Sequence, residues 1–188
     1  MNNEKYLFVV SGPAGVGKDS VVGLLREKHP EVGKTVSATT RAPRQGEIPD
    51  VSYHYLAKEA FEKLLADDGL VEYNNYVGNY YGTLRTEIEK PMEESRPVIM
   101  VIDVHGAANI KRLYPGSTTV FICPPSREEL EKRLRGRGTE SEEKIQKRLA
   151  ESLNELAKAE EYDERIVNDT LEEASERLYR LICGRISE

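Results

Sequence analysis

Strands alternating with helices along all 188 residues predict a three-layer α/β fold with a mainly parallel sheet. Three runs carry that expectation. "KYLFVVS" (5–11), "PVIMVID" (97–103) and "STTVFIC" (117–123) are rich in apolar residues with little alternation, the pattern of strands covered on both faces.

In chain order, a Gly-rich turn follows the first strand and leads into a helix from about Lys18 to Lys28, ended by "HPEVG". "TVSATT" (35–40) reads as a short strand running into the loop "RAPRQGEIPD". "YHYLA", "KEAFEKLLADD" and "LVEYNNYVGNYYGT" follow as a strand–helix–strand group rich in tyrosine. A helix starts near Leu84, and Pro91 is expected to kink or break it, because proline removes one rung of the hydrogen-bond ladder. After "PPS" come two helices joined by "RGRGTESEE". Thr139 and Glu142 have capping-box spacing for the second, whose Ile145, Leu149, Leu153 and Leu156 share one face. "RIVN" is a last strand, and "LEEASERLYRLICGRI" a closing amphipathic helix.

A single domain suits this length, and 38% hydrophobic with 32% charged residues suits a soluble globular chain. No apolar run reaches the roughly 20 residues of a membrane span, and "MNNEKYLFVV" lacks the build of a secretory signal. Cys123 and Cys183 read as reduced thiols in a cytoplasmic protein. The net charge of −6 argues against nucleic acid as partner, since duplex binding needs a basic footprint. Phosphorylated ligands would have to be drawn in by local cations.

Gly12, Gly17 and Lys18 fit G-x-x-x-x-G-K, with Pro13, Ala14, Gly15 and Val16 between them, on a turn between strand and helix. Glycines let backbone amides turn inward around a phosphate, and the helix N-terminus adds positive potential. Lys18 reaches the β- and γ-phosphates of a nucleoside triphosphate. Asp19 stands where such loops carry a hydroxyl for Mg²⁺. Either Ser20 supplies the hydroxyl one position later, or Asp19 itself contacts the metal or its waters. Asp103 closes a strand whose carboxyl end faces the same crevice, although a strand-terminal Asp is also a natural cap for the helix "VHGAANIKRL".

Arg41 and Arg44, three residues apart on a Gly- and Pro-containing loop, can clamp a single phosphate. Tyr53, Glu72, Tyr81 and Thr83 make a tyrosine-rich surface that spacing alone would assign to ordinary strand packing.

"SGPAGVGK", "SATTRAPRQGE", "GNYYGT", "IDVHGA", "PPSREELEKRLRGRGTESEEKIQKRL" and "IVND", in this order and spacing, resemble a guanylate kinase over nearly the whole chain. The resemblance implies a P-loop kinase core with a five-stranded sheet (1–35, 86–123 and 158–188), a small mixed α/β GMP-binding region (36–85) and a helical lid (124–157). It implies transfer of the γ-phosphoryl group of ATP to GMP, and to dGMP, with Mg²⁺, in a monomer or small homo-oligomer. Arg41, Arg44, Tyr53 and Tyr81 resemble the family's clamp on the GMP phosphate. Ser37, Glu72 and Thr83 resemble its guanine readers, and Asp103 one acid of an Asp/Glu–Ile–Asp strand end. Arg133, Arg137 and Arg148 resemble lid arginines that act with Lys18 and Arg41 in the transfer, and Asn168 the residue near the adenine. The chain departs from the pattern at Ala14, Asp19, Val101 and His105. Two other readings compete: a P-loop kinase of another phosphorylated small molecule, opposed by the base readers, and a non-catalytic interaction module, opposed by Lys18.

Overall fold

A computed structural model describes residues 3–76, 78–136 and 142–187. Its larger sheet has five strands in the order β2-β7-β1-β8-β9 and is parallel throughout. The strands are β1 (Leu7–Ser11), β2 (Gly33–Lys34), β7 (Val98–Val101), β8 (Thr118–Cys123) and β9 (Glu164–Val167). All five residues of β1 are buried, as its unalternating sequence requires.

Successive β1 side chains feed two different cores. Phe8 and Val10 join Val22, Leu25, Leu178 and Ile182 on the face covered by α1 (Lys18–Lys28) and α7 (Leu171–Ser187). Leu7 and Val9 join Ile88, Met92 and Ile110 on the face covered by α3 (Thr86–Glu93) and α4 (Val104–Leu113). Period-two side-chain direction thus turns one buried strand into the middle of three layers.

The expected first strand begins two residues late. Asn3–Tyr6 form a 3₁₀ turn instead, in which Lys5 Nζ donates to the carbonyl of Ile186 and Glu4 accepts from the amide of Gly116. Pro91 lies inside α3, which ends two residues beyond it, so the proline leaves a short helix of eight residues rather than a kinked long one.

The strand expected over 35–40 is shorter, covering 37–39, and a separate strand precedes it. β2 belongs to the large sheet, while β3 (Ser37–Thr39) enters a second sheet of order β4-β3-β6-β5 with β4 (His54–Tyr55), β5 (Leu70–Tyr76) and β6 (Asn79–Leu84). Thr35 donates its amide to Ile99 in the large sheet, and Val36 donates its amide to the Glu87 carboxylate of α3 at 2.7 Å. The chain therefore changes sheets at a joint pinned by backbone donors. Helix α2 (Lys58–Ala66) packs Phe61 under this smaller sheet against Ala38 and Leu70.

Helices α5 (Arg127–Arg135) and α6 (Glu142–Leu156) form a hairpin sealed by Leu130, Leu134 and Leu149, with Leu153 and Leu156 against them. Of the face read from the spacing in α6, Leu149, Leu153 and Leu156 lie in this seam, and Ile145 is buried. Thr139, expected to cap α6, lies outside the described residues.

Candidate active site

The turn between β1 and α1 is built by glycines that tolerate no side chain. Gly12 has φ 141°, and a Cβ there would stand 2.4 Å from the carbonyl oxygen of Ile122 on the neighbouring strand. Gly17 has φ 94°, and its Cβ would stand 2.7 Å from Asn168 Nδ2. The turn is thus pressed against β8 and the end of β9, and its amides lead into the N-terminus of α1. Lys18 folds over the turn, donating to the carbonyls of Gly12 at 2.6 Å and Pro13 at 3.1 Å.

Asn168, predicted near the adenine, is buried and donates to the carbonyl of Val16 at 2.8 Å. Arg133 reaches the same place from α5, donating to the carbonyls of Val16 and Asn168 at 3.4 and 3.2 Å while Glu129 holds its Nε at 3.0 Å. Arg148 is half-buried on α6, next to Leu149 in the hairpin seam. Arg137 lies outside the described residues.

A cleft of about 570 Å³ opens beyond Lys18, with Asp19, Lys34, Ser37, Tyr53 and Asp103 among its walls. Asp103 caps α4, its Oδ1 accepting from the amide of Gly106 at 2.8 Å, and also faces the cleft. Asp19 is exposed and pairs with Lys34 across 3.0 Å. Ser20 is exposed and lies outside the cleft lining.

The three residues grouped by the family resemblance form one row across the smaller sheet. Ser37 of β3 pairs with Thr83 of β6, which pairs in turn with Glu72 of β5. Thr83 donates its hydroxyl to Glu72 Oε1 at 2.7 Å. Burial raises the Glu72 carboxyl above its usual range, the Thr83 hydrogen bond opposes that rise, and the charge of Asp103 adds to it. An acid poised this way is a hydrogen-bond acceptor held partly out of water, suited to a planar group with two adjacent donors.

One step along the sheet, Tyr81 of β6 meets Tyr53 edge-on, with ring centres 6.1 Å apart, and the Arg41 guanidinium sits 5.5 Å from the centre of the Tyr53 ring. Arg41 donates twice to the carboxylate of Glu47, at 2.8 and 3.0 Å. The same carboxylate accepts the Arg44 amide at 2.7 Å and the Tyr55 hydroxyl at 2.8 Å. Arg41 foremost, then Arg44 and Tyr55, pull the Glu47 carboxyl down to about 2. The Arg44 side chain is exposed and makes no hydrogen bond or ion pair within the described residues.

Sequence reasoning assigned no role to Glu47, Tyr55 or Lys34. Glu47 was within sight, since it closes the motif "TTRAPRQGE". Lys34 had no signal, because its partner lies fifteen positions earlier and only the fold brings the two together.

A profile of the guanylate kinase family matches residues 4–184. A guanylate kinase of Synechocystis sp. is 47% identical over 94% of this chain and 92% of its own. One from Synechococcus sp. is 48% identical over 95% of this chain and 94% of its own. The chain belongs to the guanylate kinase family. A crystal structure of guanylate kinase from Anaplasma phagocytophilum superposes with a TM-score of 0.75 at 29% identity, covering 97% of this chain and 86% of that one. The five-stranded parallel sheet and its glycine turn are thus the P-loop kinase architecture of guanylate kinases. No helix among the described residues is long and apolar enough to cross a membrane.

Proposed function

We propose that this chain is an ATP-dependent guanylate kinase that converts ATP and GMP to ADP and GDP. The observation that carries this reading is the row Ser37–Thr83–Glu72, whose Ser37 end lines the same cleft as Lys18. Guanine presents an N1–H and a 2-amino group side by side, and one carboxylate accepts both. Adenine has no such pair, and a site built to satisfy those donors rejects it by roughly 10³-fold or more.

In the transfer, an anionic oxygen of the GMP phosphate attacks the γ-phosphorus of ATP, and the bond to the β-bridging oxygen breaks with its electron pair leaving on ADP. The acceptor oxygen needs no general base near neutral pH. The protein's work is positioning and neutralising charge on the transferred group. Lys18 exchanges the carbonyls of Gly12 and Pro13 for phosphate oxygens. Arg41 and Arg44, with Tyr53 and Tyr81, hold the GMP phosphate. Arg133, Arg137 and Arg148 bring charge from the lid, and Asn168 borders the adenine.

The donor set suits a magnesium ion carried mainly by phosphates and water. Among the described residues no three His, Cys, Asp or Glu side chains cluster as a metal cage. When bound, Mg²⁺ would neutralise phosphate charge, and Asp103, a cleft acid with one oxygen committed to Gly106, would hold its water shell. Free Cys123 and Cys183 suit a reducing, cytoplasmic setting.

A coupled assay of ADP release with GMP, AMP, CMP and UMP tests the reading. Turnover with GMP at least about 10³-fold above the others in kcat/KM is expected. Equal use of AMP, or no turnover with GMP, would overturn it.

A further inference from the structure

We propose that Lys34 is a phosphate-positioning residue of the cleft, and that Asp19 serves to hold it there rather than to bind metal. The proposal deepens the kinase reading and rests on it.

The aspartate following Lys18 is a difficulty in electrostatic terms. It occupies the first turn of α1, where amides and helix dipole attract anions, and there it competes with the phosphates the turn is shaped to hold. The fold answers this with a cation from another element. Lys34 Nζ lies 3.0 Å from Asp19 Oδ1, and both residues line the cleft. Lys34 is the more sheltered partner, with 31% of its side chain exposed against 77% for Asp19.

The backbone below Lys34 is fixed. β2 pairs in register with β7, Lys34 opposite Ile99, and the next residue donates its amide to the Ile99 carbonyl. Only the lysine side chain is free to swing, from Asp19 toward a ligand. Its strand leads directly into Ser37, so Lys34 stands on the wall between the glycine turn and the base-reading row.

Charge around the cleft gives the pair its consequence. Lys18, Arg26 and Lys34 face Asp19, Asp50 and Asp103. With Lys34 removed, anions outnumber cations where two phosphorylated ligands must meet. An exposed pair of this kind adds little to folding stability, so its effect falls on ligand binding.

Titration calorimetry of ATP, with Mg²⁺ and with chelator, separates the possibilities. Lys34→Met should weaken ATP binding about tenfold, the effect of one unit charge a few ångströms from a phosphate in a partly solvated cleft, and the loss should shrink with added salt. Lys34→Arg should bind as the parent does. Asp19→Asn combined with Lys34→Met should recover most of the loss, and Asp19→Asn alone should leave the gain from Mg²⁺ unchanged. Thermal midpoints near the parent's would show that every variant folds. Parent-like binding by Lys34→Met, a double variant no better than the single one, or loss of the Mg²⁺ gain in Asp19→Asn would each overturn the proposal while the kinase reading stood. A parent chain that took up no ATP would instead bring down the kinase reading and this proposal with it.

Discussion

The carboxylate of Glu47 grips the guanidinium of Arg41 through two hydrogen bonds and at the same time accepts the Arg44 amide and the Tyr55 hydroxyl. One acid thereby shapes the arginine loop proposed to receive the GMP phosphate. Glu47→Ala should raise the KM for GMP by roughly 10–100-fold, with the KM for ATP and the folding midpoint little changed. Steady-state kinetics with each substrate varied in turn would check this. Because the Glu47 carboxyl is depressed to about 2, the grip is fully present above the ordinary carboxylate range and is lost only as pH falls toward that value.

Acid sensitivity of GMP binding should therefore come from Glu72. Its carboxyl is raised by burial, and the two donors of the guanine proposed to bind there require the ionised form. As pH falls through that raised pKa, binding must remove a proton, so GMP affinity should drop while ATP affinity holds. Calorimetry across the acid range should find a midpoint above the ordinary carboxylate range in the parent, whereas Glu72→Gln should bind GMP poorly at every pH. The same substitution removes a carboxylate that folding keeps partly from water. It should raise the thermal midpoint by about 2–4 °C in the free protein, the trade of stability for function expected at a binding site.

Arg133 bridges α5 to the carbonyls of Val16 and Asn168, so it touches the glycine turn from the helical hairpin proposed as a lid. Arg133→Met should lower kcat by roughly 10²-fold or more while shifting either KM only a few-fold, since its charge is proposed to serve the transferring group more than the resting ligands. Single-turnover measurements would separate a slower chemical step from slower product release.

Glu87 spans the joint between the two sheets. One oxygen accepts the Val36 amide at 2.7 Å, and the other lies 3.2 Å from His54 Nε2, whose ring also meets Asp50 at 2.8 Å. Glu87→Ala should speed hydrogen exchange at the Val36 amide by roughly tenfold or more and raise the KM for GMP several-fold, because Ser37 and the Tyr53 loop lose their common anchor.

Much of this was legible from the chain, and the reasons differ by element. β1 was readable because unalternating apolar residues bounded by a Gly-rich turn admit few structures, and α6 because Ile145, Leu149 and Leu153 repeat at helical spacing. The two-residue strand β2 was not, since so short a strand has no periodicity, and its existence depends on β7 arriving beside it. The row proposed to read guanine was suggested only by family likeness. Ser37, Glu72 and Thr83 lie tens of positions apart, and cross-strand register, which local sequence does not encode, is what joins them. Asp19 shows the same limit: it was visible as an oddity in the motif, while the lysine that neutralises it was not.

The proposed division between a triphosphate site at the glycine turn and a guanine site at the Ser37–Thr83–Glu72 row makes a demand that a single set of titrations can examine. ATP and GMP are each titrated into Lys18→Met and Glu72→Gln. Lys18→Met should lose ATP and keep GMP, while Glu72→Gln should lose GMP and keep ATP. Variants that both lost both ligands, or both kept them, would contradict the division of the cleft into a phosphate-loop side and a base-reading side.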